Sequence, residues 1–275
     1  MRAENHSPVR KPLDAAGLRR AAVAPDGLWR EIEVVPSTGS TNADLLARAL
    51  RGEPEGVVLA AEVQTAGRGR MGRTWVSPPY AALTFSLLVR PDVPPARRGW
   101  LPLLAGVAVA TAVTEMTGVQ ARLKWPNDVL AGEAKLAGIL AEAAGDAVVV
   151  GIGLNVSTEP EELPPPGPGA LPATSLRAAG ASALDREKLL LAIMTGFERW
   201  YRAWRQADGD PDRSGLRPEY VRLSATIGRT VRAELPGGQA LSGPAAGVDS
   251  DGRLLIRVSS GAAVPVAAAD VVHLR

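Results

Sequence analysis

The segment QTAGRGRMGR, residues 64–73, sets three arginines, Arg68, Arg70 and Arg73, among three glycines, Gly67, Gly69 and Gly72. No acidic residue occurs between Glu62 and Asp92, so these guanidinium groups have no partner within their own loop. Glycines let a backbone approach a ligand closely and leave an empty loop mobile, so the segment suits closure over a multiply charged phosphate. A solvated arginine-rich turn, or an RGG-like grip on RNA, also fits the segment taken alone. The glycines happen to spell G-x-G-x-x-G, the spacing of a dinucleotide-binding turn. That turn needs a helix after its third glycine and then a second parallel strand. Here RTWVSPPYAALTF follows, and Pro78, Pro79 and an immediate strand leave no room for a crossover helix.

A second group of residues pairs an acid with a base. KWPND, residues 124–128, ends a strand in a proline-stiffened turn, and Lys135 follows Asp128 by seven residues across the turn AGE at 131–133. A hairpin there folds Asp128 back toward Lys135. Two readings of Lys135 fit: an edge lysine whose ammonium snorkels outward, or an ammonium held inward by a carboxylate or a ligand. Further on, GIGLN (151–155) follows the apolar run AVVV, and strand alternation puts Gly151, Gly153 and Asn155 on one face. The missing side chains suit either a flat ligand with Asn155 at its rim, or a β-bulge or tight contact within the protein.

The elements that must hold these groups are legible from periodicity. EIEVV, GVVLAAEV and AALTFSLLV read as strands, and Ser40 can cap a helix TNADLLARAL. Residues 97–116 read as a buried helix, apolar around most of its circumference. ARLKWPNDVL, EAKLAGILAEAA and DAVVVGIGLNV read as three strand-like runs in a meander. The proline-rich stretch from Glu159 to Pro172 is a loop, residues 185–206 form a long amphipathic helix, and RSGLRPEYVRLS adds a shorter one. From about residue 225 come short strands, with Asp251-Gly252 a tight-turn signal. The expected division is a polar N-terminal tail (1–28) containing one short helical segment, a main domain (29–223) and a small all-β barrel (224–275).

Composition narrows the chemistry. The 275 residues contain no cysteine and only His6 and His273, which leaves no thiolate nucleophile or thiolate metal site and makes a histidine triad improbable. The net charge of +2 is no basic stripe for nucleic acid. No continuous apolar run of membrane-spanning length and no signal-peptide core are read, so a cytoplasmic location without membrane attachment is expected. Among the 31 basic residues only Lys11, Lys124, Lys135 and Lys188 are lysines, so a lysine here marks a place where a compact ammonium matters.

Five segments in order, STN (40–42), QTAGRGRMGRTW (64–75), KWPND (124–128), KLAGILAE (135–142) and GIGLN (151–155), resemble the biotin protein ligases, and the resemblance spans residues 31–275. It implies an α+β fold, a mixed β-sheet packed on helices of the class II aminoacyl-tRNA synthetase-like kind, followed by a small C-terminal SH3-like β-barrel. It implies an AMP-forming ligase that converts biotin and MgATP to biotinoyl-5′-AMP and then acylates a lysine of a biotin carboxyl carrier domain of an acyl-CoA or pyruvate carboxylase. By resemblance, Lys135, Arg68 and Asp128 are catalytic. Ser40, Thr41, Asn42, Gln64, Gly67, Arg68, Gly69, Arg70 and Lys135 hold biotin, while Gly138, Gly151 and Gly153 leave room for it. Arg70, Arg73, Trp75, Asn127, Lys135 and Asn155 take the nucleotide, and Mg²⁺ arrives on the ATP phosphates with no direct protein ligand assigned. Gly138 has the opposite strand parity to Lys135, so it acts through its backbone or at a bulge.

Two features depart from the family pattern: Met71 stands where many relatives carry another basic residue, and the loop 159–172 is longer than a compact connection. The length leaves no DNA-binding domain before residue 31, so a ligase that is not a repressor is expected. A lipoate or octanoate ligase shares the implied adenylate chemistry and is the alternative; the GRGRxGR loop and the KWPND–KLAGI pair favour biotin.

Overall fold

The computed structural model describes residues 10–166, 171–235, 238–267 and 269–274; His6 and the centre of the proline-rich loop lie outside them. Five α-helices, α1 (Ala15–Ala22), α2 (Thr41–Leu50), α3 (Leu101–Thr117), α4 (Arg186–Gln206) and α5 (Leu216–Leu223), accompany two sheets. The larger sheet comprises β1 (Glu31–Val35), β2 (Val57–Ala61), β3 (Ala82–Val89), β4 (Ala121–Lys124), β5 (Asp128–Ala131), β6 (Ala134–Ala144) and β7 (Ala147–Asn155), in the order β1-β2-β3-β7-β6-β5-β4. β1 runs parallel to β2, with α2 in the connection, and every other neighbour pair is antiparallel.

ARLKWPNDVL is not one strand. It breaks at Trp125–Asn127 into the antiparallel pair β4 and β5, with Lys124 opposite Asp128. Pro126 follows a cis peptide and cannot donate a ladder hydrogen bond, which suits it to a turn between strands and not to a strand interior. The next turn is tighter than AGE: Ala131 pairs with Ala134, leaving Gly132 and Glu133 as the two loop residues. Gly132 takes a φ of 60°, which such a turn demands.

Alternate residues of β3 and β7 enter different cores, which is why both strands read as continuous apolar runs. Val149, Leu88, Val57 and Leu59 meet Leu45 and Ala49 of α2 on one face. Val148, Val150, Ile152 and Leu87 join the residues of α3 and α4 in the main core on the other. The stretch Pro95–Thr117 is long and apolar enough to cross a membrane by length and composition, contrary to expectation, but most of it is buried in this core.

The C-terminal strands β8 (Thr230–Glu234), β9 (Ala240–Val248), β10 (Leu254–Arg257), β11 (Ala263–Val266) and β12 (Asp270–His273) form an antiparallel sheet in the order β11-β10-β9-β8-β12. Among the described residues no ladder joins β11 to β12, so backbone pairing does not close the sheet into a barrel. Val231, Ala245, Leu254, Ile256 and Val271 continue the main core. Three contacts seat this sheet on the larger unit. Trp100 Nε1 donates to the Asp249 and Ser250 carbonyls at 3.2 and 3.1 Å, and Trp125 Nε1 donates to Gly252 O at 3.1 Å. A β-carbon on Gly99 would lie 2.2 Å from Asp251 O, so only glycine permits the approach.

Residues 10–28 pack on the main unit. Asp14 caps α1, whose Leu18 is buried, and the buried Glu62–Arg186 ion pair (2.7 Å) holds the extended segment before it. Glu62 Oε1 accepts from Leu13 N at 2.6 Å, and Arg186 donates to Lys11 O.

Candidate active site

Between α2 and the β4 edge, the sheet face that carries Gly151 and Gly153 is covered by residues 64–75 in place of a helix. This cover is a small hairpin. Trp75 N donates to Gly67 O at 2.9 Å, Arg68 and Thr74 form an antiparallel bridge, and Gly69 N donates to Arg73 O at 2.6 Å. Its tip is a 3₁₀ turn, Arg70–Gly72, in which Met71 (φ 55°) and Gly72 (φ 74°) take left-handed conformations. Met71 is exposed at this tip and lies at the rim of the cavity. Gly67 is required by the closure itself: a β-carbon there would stand 2.3 Å from Trp75 O.

The three glycines beneath have different duties. Gly153 accommodates the Trp75 indole, since a β-carbon would lie 2.4 Å from Cε2. Gly151 accommodates Asn42, whose Oδ1 would lie 2.2 Å from that β-carbon. Asn42 is fully engaged with the protein: its Nδ2 donates to Leu140 O (3.1 Å) and Glu142 Oε2 (2.8 Å), and its Oδ1 accepts from Ser86 Oγ (2.6 Å). At Gly138 a β-carbon would meet Lys135 Cε and Nζ and Trp75 Cζ3, each at 3.3 Å. The parity conflict between Lys135 and Gly138 is resolved by a register shift opposite Val129/Leu130, where Leu130 faces Lys135 and Val129 faces Ala137. Leu136 is the extra residue, and it turns into the core.

Lys135 is held inward. Its Nζ lies 2.7 Å from Asp128 Oδ1, and the buried Lys124 Nζ lies 3.9 Å from Asp128 Oδ2. The Lys135 backbone is fixed on its other side by the end of the proline-rich loop, donating to Pro172 O and accepting from Thr174 N, both at 2.8 Å. Burial pushes the Lys124 ammonium below the ordinary lysine range, with Asp128 and Asp270 opposing the shift. Arg70 is likewise lowered by burial, again opposed by Asp128 and Asp270. Its Nη1 donates to Asn127 Oδ1 at 3.2 Å, while Asn127 Nδ2 donates to Ile139 O at 2.8 Å. Asn127 therefore contacts Arg70 and the β6 backbone, and Asp128 is the residue that contacts Lys135.

The remaining residues divide between rim and wall. Ser40 caps α2, and Gln64 Oε1 accepts from Thr41 N and Oγ1 at 2.8 and 3.1 Å. Arg68 Nη1 lies 3.6 Å from Glu142 Oε1, and Arg73 pairs with Asp270 of β12. All these groups line, or lie beside, a narrow cavity of ≈ 120 Å³ that meets a wider one of ≈ 900 Å³ at Arg73, Trp75, Lys124, Asp128, Lys135 and Asp270. Asn155 lines the wider cavity, with its Nδ2 on Thr174 O at 2.9 Å. Among the described residues no group of three or more His, Asp or Glu side chains is placed to hold a metal ion.

Sequence reasoning missed Lys124, Ser86, Glu142 and Asp270 as members of this site. Lys124 had a signal in the scarcity of lysine and its place in KWPND. Asp270 had none, because only the tertiary docking of the C-terminal sheet brings it to the hairpin.

Such a site offers five cations (Arg68, Arg70, Arg73, Lys124 and Lys135), two carboxylates (Asp128 and Asp270) and a glycine floor under an aromatic lid, a setting for joining two anions. Residues 32–158 match the Biotin/lipoate A/B protein ligase family and residues 226–274 the Biotin protein ligase C terminal domain. The chain is 47% identical to the biotin–[acetyl-CoA-carboxylase] ligase of Mycobacterium tuberculosis over 97% of this chain and 98% of the relative. It is 35% identical to the bifunctional ligase/repressor of Bacillus subtilis over 83% of this chain and 69% of that protein. The biotin protein ligase of Aquifex aeolicus, solved with biotin and ATP, superposes with a TM-score of 0.72 at 26% identity, covering 90% of this chain and all of that one.

Proposed function

This chain belongs to the biotin protein ligase family, and we propose that the cavity under its arginine hairpin is where biotin and ATP are joined. The enzyme is an ATP-dependent ligase that makes biotinoyl-5′-AMP and transfers biotin to a lysine of a biotin carboxyl carrier protein. The observation that carries the site assignment is the 2.7 Å contact between Lys135 Nζ and Asp128 Oδ1 above Gly138, with Lys124 on the other carboxylate oxygen.

In the first step a biotin carboxylate oxygen attacks the α-phosphorus, a P–O bond forms, and the bond to the pyrophosphate leaving group breaks. No proton needs to move. The obstacle is anion meeting anion, so the protein contributes position and charge. Lys135, oriented by Asp128, neutralises the approaching carboxylate and α-phosphate; Arg70 and Arg73 take the remaining phosphate charge. Lys124 and Arg70, both disfavoured by burial when unpaired, gain most from an incoming polyanion. Magnesium enters as part of MgATP.

In the second step the neutral carrier amine attacks the acyl carbon, a C–N bond forms, the acyl C–O bond breaks with AMP leaving with its electrons, and the amine gives up one proton. The mixed anhydride must survive until then, and the Gly67–Trp75 hairpin with its indole keeps water away from it. Gly138 and Gly153 admit the flat parts of the ligand once Trp75 shifts, with Thr41 and Gln64 at the ring and Asn155 toward the nucleotide. The name of the tuberculosis relative favours an acetyl-CoA carboxylase carrier over a pyruvate carboxylase one. A reaction that consumes ATP is placed here with the cytoplasmic nucleotide pool.

The test is pyrophosphate release from MgATP with biotin, lipoate or no acid, followed by transfer to a purified carrier domain. Biotin-dependent release and label on the carrier lysine are expected. Release driven by lipoate alone would overturn the substrate.

A further inference from the structure

Asp270 stands on the edge strand β12 of the C-terminal sheet, yet its carboxylate lines both cavities of the site. Its partner is Arg73, which directly follows the tip of the hairpin. Arg73 also fixes the hairpin through its backbone, accepting from Gly69 N at 2.6 Å and donating to Arg70 O at 3.1 Å. The ion pair therefore ties the cover of the site to a different sheet. Besides Arg73, the field of Asp270 reaches Arg70 and Lys124, two of the cations that face the cavity. One carboxylate thus sits among three positive groups, where the reaction would bring a polyphosphate.

We infer that Asp270 is a positioning residue that stands in for nucleotide phosphate: it holds Arg73, and with it the hairpin, over the empty site, and yields Arg73 to the phosphates of ATP. The inference rests on the reading of residues 67–75 as the nucleotide clamp. A single carboxylate cannot hold Arg73 against the several negative charges of a triphosphate. The pair is also weak enough to exchange, because Arg73 keeps 56% of its side chain exposed and pairs of that kind are screened by solvent. The cost is competition: ATP must displace Asp270 before it gains Arg73, and a ligand's apparent affinity falls by the fraction of sites already engaged.

Asp270→Asn keeps the shape of the side chain and removes its charge, leaving the backbone pairing of Asp270 with Glu234 untouched. The KM for ATP in biotin-dependent pyrophosphate release is expected to fall about two- to fivefold, the range of an exposed ion pair. In the nucleotide-free enzyme, trypsin should cut after Arg68, Arg70 or Arg73 faster than in the parent. Added pyrophosphate should restore protection in both. Asp270→Ser, with a thermal unfolding scan, separates release of the hairpin from damage to β12. Arg73→Ala should raise the KM for ATP, and Asp270→Asn should add nothing in that background. If Asp270→Asn raises the KM for ATP, the carboxylate helps to bind MgATP and the stand-in role is wrong. Unchanged nicking in a folded Asp270→Asn enzyme would remove the latch. If Arg73→Ala leaves the KM for ATP unchanged, the clamp reading itself fails, while the nicking result still reports on the tie between the sheets.

Discussion

The indole of Trp75 rests on the backbone of Gly153, so closely that a β-carbon on the glycine would stand 2.4 Å from Cε2 and 2.7 Å from Nε1. The ring covers the glycine floor, and its Nε1 is buried without a hydrogen-bond partner. A buried unpaired N–H is costly, which favours any state in which the ring turns to an acceptor on a bound ligand. Gly153→Ala should force the ring off the floor at every step. We expect a changed near-ultraviolet tryptophan signal and biotin-dependent pyrophosphate release lowered by tenfold or more, with about 1–3 kcal/mol lost from overpacking. An unaltered tryptophan signal in a folded variant would mean that the contact is slack.

Lys135 is placed by both its ends, the backbone between Leu130 and Pro172–Thr174 and the ammonium on Asp128. If that charge stabilises the transition state, Lys135→Ala should lower the adenylation rate by ~10²-fold or more. Lys135→Arg should not restore it, because a planar guanidinium cannot take the place of a compact ammonium beside Gly138. Single-turnover adenylate formation measures both. A normal rate in folded Lys135→Ala would take the residue out of the chemistry.

Arg68 sits on the rim of the hairpin, 3.6 Å from Glu142. Its removal should loosen the cover more than it slows adenylation. Arg68→Ala is expected to release biotinoyl-AMP into solvent, read as biotin on lysines of a bystander protein. Retention of the adenylate equal to that of the parent enzyme would show that this arginine does not gate the site.

Much of this site was legible because it is written in short contiguous motifs. The hairpin residues, the Asp128–Lys135 pair and the glycine face all come from local spacing, and a two-residue turn is enough to bring Asp128 to Lys135. What was not legible depends on register and docking. The bulge at Leu136 aligns Gly138 with Lys135, yet nothing in KLAGILAE marks it. Gly151 reads as ligand space but serves Asn42, because an empty side-chain position does not say what fills it. Asp270 lies 197 residues from Arg73, a pairing that only the packed C-terminal sheet creates. In the fold, the meander gained a strand because a proline broke ARLKWPNDVL, and the buried helix 101–117 was clear from its all-round apolarity.

The Glu62–Arg186 pair is the most deeply buried ion pair among those described, with 3% and 8% of the side chains exposed. Arg186 also donates to Ala82 O at 3.0 Å, so the pair joins α4, β3 and the segment around Leu13. Deleting one partner strands the other charge in the interior. Glu62→Ala should cost about 3–5 kcal/mol, measured by urea unfolding, and free the Leu13 segment to proteolysis. A loss below about 1 kcal/mol would mean that water reaches Arg186 and screens it.

His273 links β12 to the chain that enters the C-terminal sheet, with Nε2 3.0 Å from Thr226 Oγ1. Burial lowers its pKa to about 4, and the nearby Lys124 and Arg229 add to the effect against the opposing Glu133. The folded protein therefore keeps this ring neutral where the unfolded chain, near the ordinary value of about 6.5, takes a proton. The stabilising difference is fully present above pH 6.5 and is lost as the pH falls toward 4, since the unfolded state binds more protons across that window. Below pH 4 both states are protonated and the loss levels off. The ring keeps some solvent contact, so the total should be on the order of 2 kcal/mol, less than the full 1.36 kcal/mol per pKa unit. Urea unfolding of the parent and of His273→Gln at pH 7.5, 5.5 and 4 measures it. The two stability curves should converge on acidification, and curves that stay parallel would assign the acid sensitivity of this sheet to other groups.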